Sequence, residues 1–595
     1  MLSTLKIRCM FVLCCCVLLR GFTAHASTIT VANQLASHYS FDPFSSVEDC
    51  PSGYTVSGIA SGYHIERPHA VYNSTTGEWV LWAHYDNSSY TTAEALVATS
   101  SSECGPYTIY NEFQPLGYQV RDDFLFEDTD GTAYFIAASN KDGGANDTMA
   151  IWRLSSDYLS VDSSAGTTWL FEGDYREAPI AFKSGSEYYL LTSQAAGWYP
   201  SQGGYASSSS MLSGWGALTN MGNSSTFGGQ GANIKIINGT SQTSYILVLD
   251  HLGGTIGYDD GALYLPLSVD SSAGTLTLEW LPNYQVDTVT GIITQPTRTD
   301  LATTATTGSS IGSGCHSYYA TDSSYTTSWC ASSATWPAWW KVDLGLVQSI
   351  GTIDISWYMY KGSEGYYQYK IMYSNDGSTY TTIDRSGNRM YGFTSDMVNI
   401  SARYLEIYLV DAVLHNNTTN WYTPRIYEVK VFAPETTAVS VTNSSFESPT
   451  VSDYTAVPSG ATWTFSGTAG ISANSGTYTS GNSTAPAGSQ VAYIEETGSF
   501  SQAIGGFTIG KTYVITFSAS QRQNLSQSAE TIAVQVNGTT IANRAPYQSA
   551  SQYNDYSATF VATATTNTIG FVGTNTAGGD NTVLIDNVRI WTPAL

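Results

Sequence analysis

From about position 60 onward this chain is built of short runs in which apolar and polar residues alternate, broken by Gly, Asn, Asp or Ser. Alternation with period two marks a strand with one buried face, and turn residues at such intervals suit antiparallel neighbours. Four of the runs form strand–turn–strand units: Ala70 to Ala83, Phe124 to Ala137, Ile180 to Thr192 and Asn233 to Leu249. Aromatic residues at matched places in their second strands, Trp79, Tyr134, Tyr188 and Tyr245, recur every 54 to 57 residues. No stretch with helical period is longer than about three turns. The expected fold class is all-β, and a repeat of this size predicts the blades of a β-propeller.

Three of these units are entered through an acidic motif. The motifs are Ile65-Glu66-Arg67-Pro68, Arg121-Asp122-Asp123-Phe124 and Arg176-Glu177-Ala178-Pro179, with intervals of 56 (66 to 122) and 55 (122 to 177) residues. The fourth unit carries no acid and follows Gln230. In a propeller the innermost strands face one cavity, so carboxylates distant in sequence converge at one end of the axis. Glycoside hydrolysis needs that: one group to protonate the leaving oxygen, another to assist attack by water. A plainer reading pairs Arg67 and Arg176 with the acids beside them. Asp123, next to the turn into Phe124, is expected to be solvated, and His84 and His251 to be structural.

Downstream, a Thr-rich connector follows Asp287. Alternating segments within 308–433, such as Trp339 to Leu344 and Arg403 to Tyr408, predict a β-sandwich. Residues 439–595 predict another, with strands at Tyr513 to Phe517, Ile532 to Val536, Ala558 to Val561 and Val583 to Ile590. The expected organisation is a segment 1–26, a propeller over 27–290, and two β-sandwich (jelly-roll) domains over 308–433 and 439–595.

Composition narrows the partners. The formal charge is −25, with 12% charged and 13% aromatic residues. That balance argues against nucleic acid, whose affinity comes largely from Lys and Arg on phosphates, and suits neutral sugar polymers bound by stacking and hydrogen bonds. Residues 1–26 read as a secretory signal: Lys6 and Arg8, an apolar run from Met10 to Leu19, then Ala24-His25-Ala26. That run is too short to span a bilayer. The expected localisation is therefore secreted and extracellular, with no membrane span, and the expected state is a monomer. Four cysteines remain outside the signal, and Cys50–Cys104 and Cys315–Cys330 are the expected disulfides because each pair lies within one domain. Sequons such as Asn73, Asn87 and Asn146 permit glycosylation in a eukaryotic host.

At its motifs the first domain resembles glycoside hydrolase family 43, the five-bladed propeller hydrolases, and is most similar to the exo-β-1,3-galactanase-like branch. Glu66-Arg67-Pro68 with Trp82-x-His84-x-Asp86, Arg121-Asp122 with Leu125-Phe126, Arg176-Glu177-Ala178-Pro179, Gly197-Trp198 and Thr226-Phe227-x-x-Gln230 carry the resemblance. It implies Glu177 as general acid, Asp122 as the group that tunes and orients it, and Glu66 and Tyr90 as substrate-binding. Gln230 stands where a base would act, and Trp198 is a stacking platform for a galactose ring. The implied reaction removes terminal galactose from β-1,3-galactan or arabinogalactan of plant or algal cell-wall type, with inversion and no cofactor. Residues 308–433 resemble discoidin-type (coagulation factor type C) modules. Residues 439–595 resemble galactose-binding-like carbohydrate-binding modules, and there Glu447 and Asp586 suit a structural Ca²⁺, which takes hard oxygen ligands.

Two departures keep other readings open. Counting back 55 residues from Trp79 reaches position 24, so the first blade is incomplete or lies in sequence missing upstream. Ala196 and Ser201 replace the Thr and Asn of the relatives' sugar pocket. The alternatives are a catalytically inactive sugar-binding protein on a propeller scaffold, and an arabinofuranosidase or β-xylosidase.

Overall fold

The computed structural model describes residues 28–32, 54–252, 259–359, 365–414, 418–420, 422–434, 436–523, 528–546 and 553–593. Residues 1–26 and Cys50 therefore lie outside the described residues. Among the described residues there are strands and short 3-10 turns and no α-helix, so the all-β expectation holds. Among the described residues no helix is long and apolar enough to cross a membrane.

Four successive sheets of four or five strands occupy the first part of the chain. Each starts at one of the sequence units: Tyr63–Asn73 with Glu78–Asn87, Asp123–Glu127 with Ala133–Ser139, Arg176–Ser184 with Glu187–Gln194, and Gly229–Asn238 with Thr243–Leu252. The turns follow from residue chemistry. In the first, the Asn73 carboxamide oxygen accepts the N–H groups of Thr75 and Thr76, and Gly77 supplies a positive φ of 75°. The first strands of the sheets lie beside one another, the Glu66 strand against the Asp123 strand, that against the Glu177 strand, and that against the Gln230 strand. Core side chains such as Val80, Trp82, Phe135, Ile151, Leu190 and Leu247 fill the space between sheets.

A fifth sheet has three strands, Thr28–Ala32 paired with Asn283–Asp287 and that with Ile293–Thr294. Ile29 and Val31 pack with Ile246, Val248 and Tyr264, so this sheet rests on the fourth. The N-terminal strand thus joins residues some 250 positions away, which no local repeat announces.

The middle domain is a seven-stranded sheet whose longest strands, Ala338–Trp357 and Phe393–Leu414, bend at register shifts and enclose Trp329, Trp340 and Trp357. Trp340 and its neighbours are core; Trp339 is half-buried beside Lys341. The Cys315–Cys330 disulfide is present here. Cys104 is also disulfide-bonded. The last domain packs a seven-stranded sheet on a five-stranded one around Phe446, Trp463, Phe517 and Phe571.

The first two domains touch closely. Asn223 donates from Nδ2 to Ser356 Oγ at 3.1 Å, and Phe393 sits edge-on to Phe227 and Trp280, each at 5.2 Å between ring centroids. The segment carrying Asn223 and Phe227 leads directly into Gln230, so the middle domain buttresses one wall of the site described next.

Candidate active site

Glu66, Glu177 and Gln230 each sit near the start of the first strand of a sheet, and Asp122 immediately precedes one. Directly after Glu66, Glu177 and Gly231 the register with the neighbouring strand slips. Such a bulge re-aims the adjoining side chain and sharpens the local twist. Pro68 and Pro179 fall in the slips, where a missing N–H removes no ladder bond. Arg67 and Ala178 adopt left-handed φ values of 48° and 51° there. The repeated tripeptide of an acid followed two residues on by proline is the sequence imprint of this geometry.

Arg67 is the hub. Its Nη2 donates to Gln230 Oε1 at 2.8 Å, its Nη1 to the carbonyl of Gly231 at 2.8 Å, and its Nε faces Asp122 Oδ1 at 3.2 Å. Asp250, cross-strand from Gln230, lies 3.8 Å from Nη2. Arg67 therefore does not pair with its neighbour Glu66; it ties three sheets together. Arg176 is not ion-paired with Glu177 in the same way: its guanidinium donates to Thr192 Oγ1 and to the carbonyls of Thr192 and Gln202.

Glu177 is buried at 8% exposure. Its Oε1 accepts from Gln230 Nε2 at 2.8 Å and from the Ala196 N–H at 3.3 Å, while Asn146 Nδ2 lies 3.4 Å from Oε2. Burial and then the charge of Asp122 push its carboxyl up to about 8. With Oε1 taken by two donors, Oε2 is the oxygen left to carry the proton. Asp122 is held in turn by Arg67 and by the Ala178 N–H, which donates to Oδ2 at 3.1 Å. Gln230 has both amide hydrogens engaged, since Nε2 donates to Ser193 Oγ at 3.0 Å as well. Its amide orientation follows from these partners, because Arg67 can only donate.

Glu66 is held in the opposite state. Tyr90 donates its hydroxyl to Oε1 at 2.6 Å and His84 Nδ1 lies 3.0 Å from Oε2, with Asp86 Oδ2 3.0 Å from the other ring nitrogen. Burial pulls His84 down, but the two carboxylates outweigh it and lift it to about 9, so near neutrality both nitrogens donate. Burial likewise pushes Glu66 up, yet His84 and Tyr90 hold it below its ordinary value. His84 and Asp86, two apart in a strand, share one face, so Asp86 reaches the ring nitrogen of His84 opposite the one that meets Glu66.

Asp123 corrects an expectation. It is buried at 1% exposure, not solvated, and its Oδ1 accepts the His84 N–H at 2.7 Å. Burial drives its carboxyl well above the usual range. The structure thus brings Asp122, Glu177 and Gln230 together through Arg67, with Glu66 and Tyr90 in an adjoining group built on His84. Trp198 lies half-buried on the loop that also contributes the Ala196 N–H, next to Tyr199, whose ring meets Tyr391 of the middle domain at 5.2 Å. Arg67, His84, Asp86, Ser193 and Asn146 complete these groups, although sequence alone gives none of them a catalytic or substrate-binding role. Two sequons are occupied structurally: Asn146 faces Glu177, and buried Asn73 donates to the carbonyl of Ser156.

In the last domain Glu447 accepts the N–H groups of Ser489 and Gln490, and Asp586 Oδ2 accepts that of Ala487. Asp586 is fully buried, and its Oδ1 has no hydrogen-bond partner among the described residues. Burial and, among smaller causes, the Glu447 charge push it up to about 8. An orphaned buried carboxylate oxygen beside a second carboxylate fits a hard cation, although no group of three or more His, Cys, Asp or Glu gathers among the described residues.

With this geometry in view, residues 71–233 match the family model of glycosyl hydrolases family 43. Residues 319–407 match a NedA-like, galactose-binding domain, and residues 439–591 a protein family of unknown function, DUF642. Residues 71–233 are therefore similar to family 43 glycosyl hydrolases, and residues 319–407 to a galactose-binding domain of the coagulation factor type C-like kind. Among solved structures it is similar to an exo-β-1,3-galactanase from Clostridium thermocellum at 27% identity, covering 59% of this chain and 85% of that one, TM-score 0.39. It is also similar to the exo-β-1,3-galactanase of Phanerochaete chrysosporium with β-1,3-galactotriose, at 23% identity over 63% and 84% of the two chains, TM-score 0.41. A family 43 β-1,3-galactosidase with galactodeoxynojirimycin gives 26% identity over 39% and 81%, TM-score 0.34. No curated protein matches.

Proposed function

We propose that this chain is a secreted exo-acting glycosidase that removes terminal galactose from β-1,3-galactan or arabinogalactan side chains by a single inverting displacement on a five-bladed propeller. The observation that carries the reading is the opposite tuning of two glutamates of one site, buried Glu177 raised and half-buried Glu66 lowered. Pushing two carboxyls apart is how a site obtains an acid and an anion at the same pH. Glu177 donates its Oε2 proton to the leaving oxygen. Asp122 keeps that proton in place by charge and orients the strand through the Ala178 N–H. Glu66, held by His84 and Tyr90, accepts sugar hydroxyls, and Trp198 offers a face for stacking.

Gln230 is the feature that favours galactan over arabinoside or xyloside. In most of the family the base stands at the position matched by Glu66; in the galactanase-like branch this chain resembles, that residue binds substrate and a neutral amide, here Gln230, stands where the base would act. Arg67 holds the carbonyl of that amide and leaves one Oε1 lone pair to orient the attacking water; the proton left on the new hemiacetal oxygen is released to solvent, from which Glu177 regains its own. The test is to incubate the purified chain with β-1,3-galactan, arabinan and xylo-oligosaccharides and to follow the first sugar released by NMR. Galactose appearing first as the α-anomer is expected; release of arabinose or xylose alone, or of nothing, overturns the proposal.

We further propose that Glu447 and Asp586 hold a structural calcium, with backbone carbonyls completing its shell. Chelation is then expected to lower the unfolding midpoint of the last domain by a few degrees and leave hydrolysis of a soluble aryl galactoside unchanged. Calorimetry with and without chelator measures this; an unmoved midpoint refutes it.

A further inference from the structure

Between the hydrolase domain and the middle domain lies a cavity of about 940 Å³, walled by both. Its size falls within the ~300–1,000 Å³ of small-molecule sites. Two buried polar groups in its lining lack a hydrogen-bond partner among the described residues. One is Glu428 Oε2, in a side chain 2% exposed whose Oε1 accepts the Ser323 N–H. The other is Trp280 Nε1, in a side chain 6% exposed. A buried donor or acceptor left unpaired is costly, and here one of each belongs to residues lining the same cavity, which points to an occupant.

From these observations we infer that the cavity is a second carbohydrate site, binding a short neutral saccharide through hydroxyls that accept from Trp280 and bond to Glu428 while a ring face lies against Tyr325. The chemistry selects this occupant. Four carboxylates line the cavity, Glu279, Asp300, Asp354 and Glu428, against two cations, and one of these, Arg298, is already paired with Asp354 at 2.9 Å. Phosphate and carboxylate ligands are therefore disfavoured. A bare metal ion is disfavoured by the Trp280 N–H and by the aromatic walls of Trp280, Tyr325 and Phe393. A sugar hydroxyl both donates and accepts, and sugar C–H faces pack on aromatic rings. Burial also pushes Glu428 up to about 8, so near neutrality its carboxyl can donate as well as accept. Because the walls come from two domains, a saccharide bound here fixes the middle domain against the segment that leads into Gln230.

This inference rests on the glycan-hydrolase reading, and its test separates the two. Isothermal titration of β-1,3-galactotriose into the full chain bearing Glu177→Gln counts sites with hydrolysis suppressed. Adding Glu428→Gln, which keeps the acceptor for Ser323, or Trp280→Phe, which keeps the ring, is expected to weaken one class of sites by about tenfold or more. Each change in the otherwise native chain is expected to leave aryl galactoside hydrolysis unchanged. A titration unaltered by both substitutions overturns the inference, as does a soaked crystal showing only water between Trp280 and Glu428. Absence of aryl galactoside hydrolysis in the native chain instead refutes the functional reading, whatever the titrations show.

Discussion

Glu177→Gln is expected to lower kcat on β-1,3-galactan by about 10²–10⁴-fold, the usual worth of a general acid. The loss should be smaller on an aryl galactoside whose leaving group departs without a proton. Gln is nearly isosteric with the protonated acid, and its amide oxygen can still accept from Gln230 and Ala196, so the site should remain assembled. The change should also show in stability. A buried Glu raised to about 8 keeps its proton in the native state while the unfolded chain releases it above about 4.5. The native state then binds more protons than the unfolded one across that window, so stability falls as pH rises from about 4.5 to 8. Glu177→Gln removes this loss. The variant should therefore resist urea better than the native protein at pH 9, a comparison that denaturation curves at pH 5 and pH 9 make directly.

Arg67→Met is expected to be the most destabilising single change in the hydrolase domain, by about 3–5 kcal/mol, the cost of stripping the partner from buried charges. Arg67 is 8% exposed and bonds to Gln230, Gly231 and Asp122, with Asp250 beside it. Methionine fills much of the volume and replaces none of those donors. Against a domain stability of roughly 5–15 kcal/mol this is a large fraction. Urea unfolding followed by tryptophan fluorescence should place the midpoint well below that of the native protein; a shift under about 1 kcal/mol would show that Arg67 is not the keystone described. Arg67→Lys should not rescue it, since an ammonium cannot reproduce the guanidinium fork.

Much of this site is legible in the chain because it is built on a repeat. A 55-residue ruler finds Glu66, Asp122 and Glu177, and the next step reaches Gln230, since each lies at the same place in a sheet. Partners within one strand follow too: His84 and Asp86 sit on one face because strand side chains alternate. What the ruler misses depends on contacts across sheets or on local strain. Arg67 looks like a partner for the acid beside it, yet its left-handed backbone turns it toward the Gln230 strand. Asp123 looks solvated, yet it is buried under the His84 backbone. The strand Thr28–Ala32 carries no repeat signature because its partner, Asn283–Asp287, comes after the fourth sheet. The cavity at Trp280 and Glu428 exists only where two domains meet.

The central claim is that Asp122 and burial hold a proton on Glu177, while Glu66 stays ionised. The pH dependence of kcat/KM for β-1,3-galactotriose, whose leaving group needs the proton, in the native chain and in Asp122→Asn, tests it most directly. A native alkaline limb near pH 8 that moves to lower pH in Asp122→Asn, where the second cause of the upshift is gone, is the predicted result. A profile without an alkaline limb near 8, or one that Asp122→Asn leaves in place, contradicts the account.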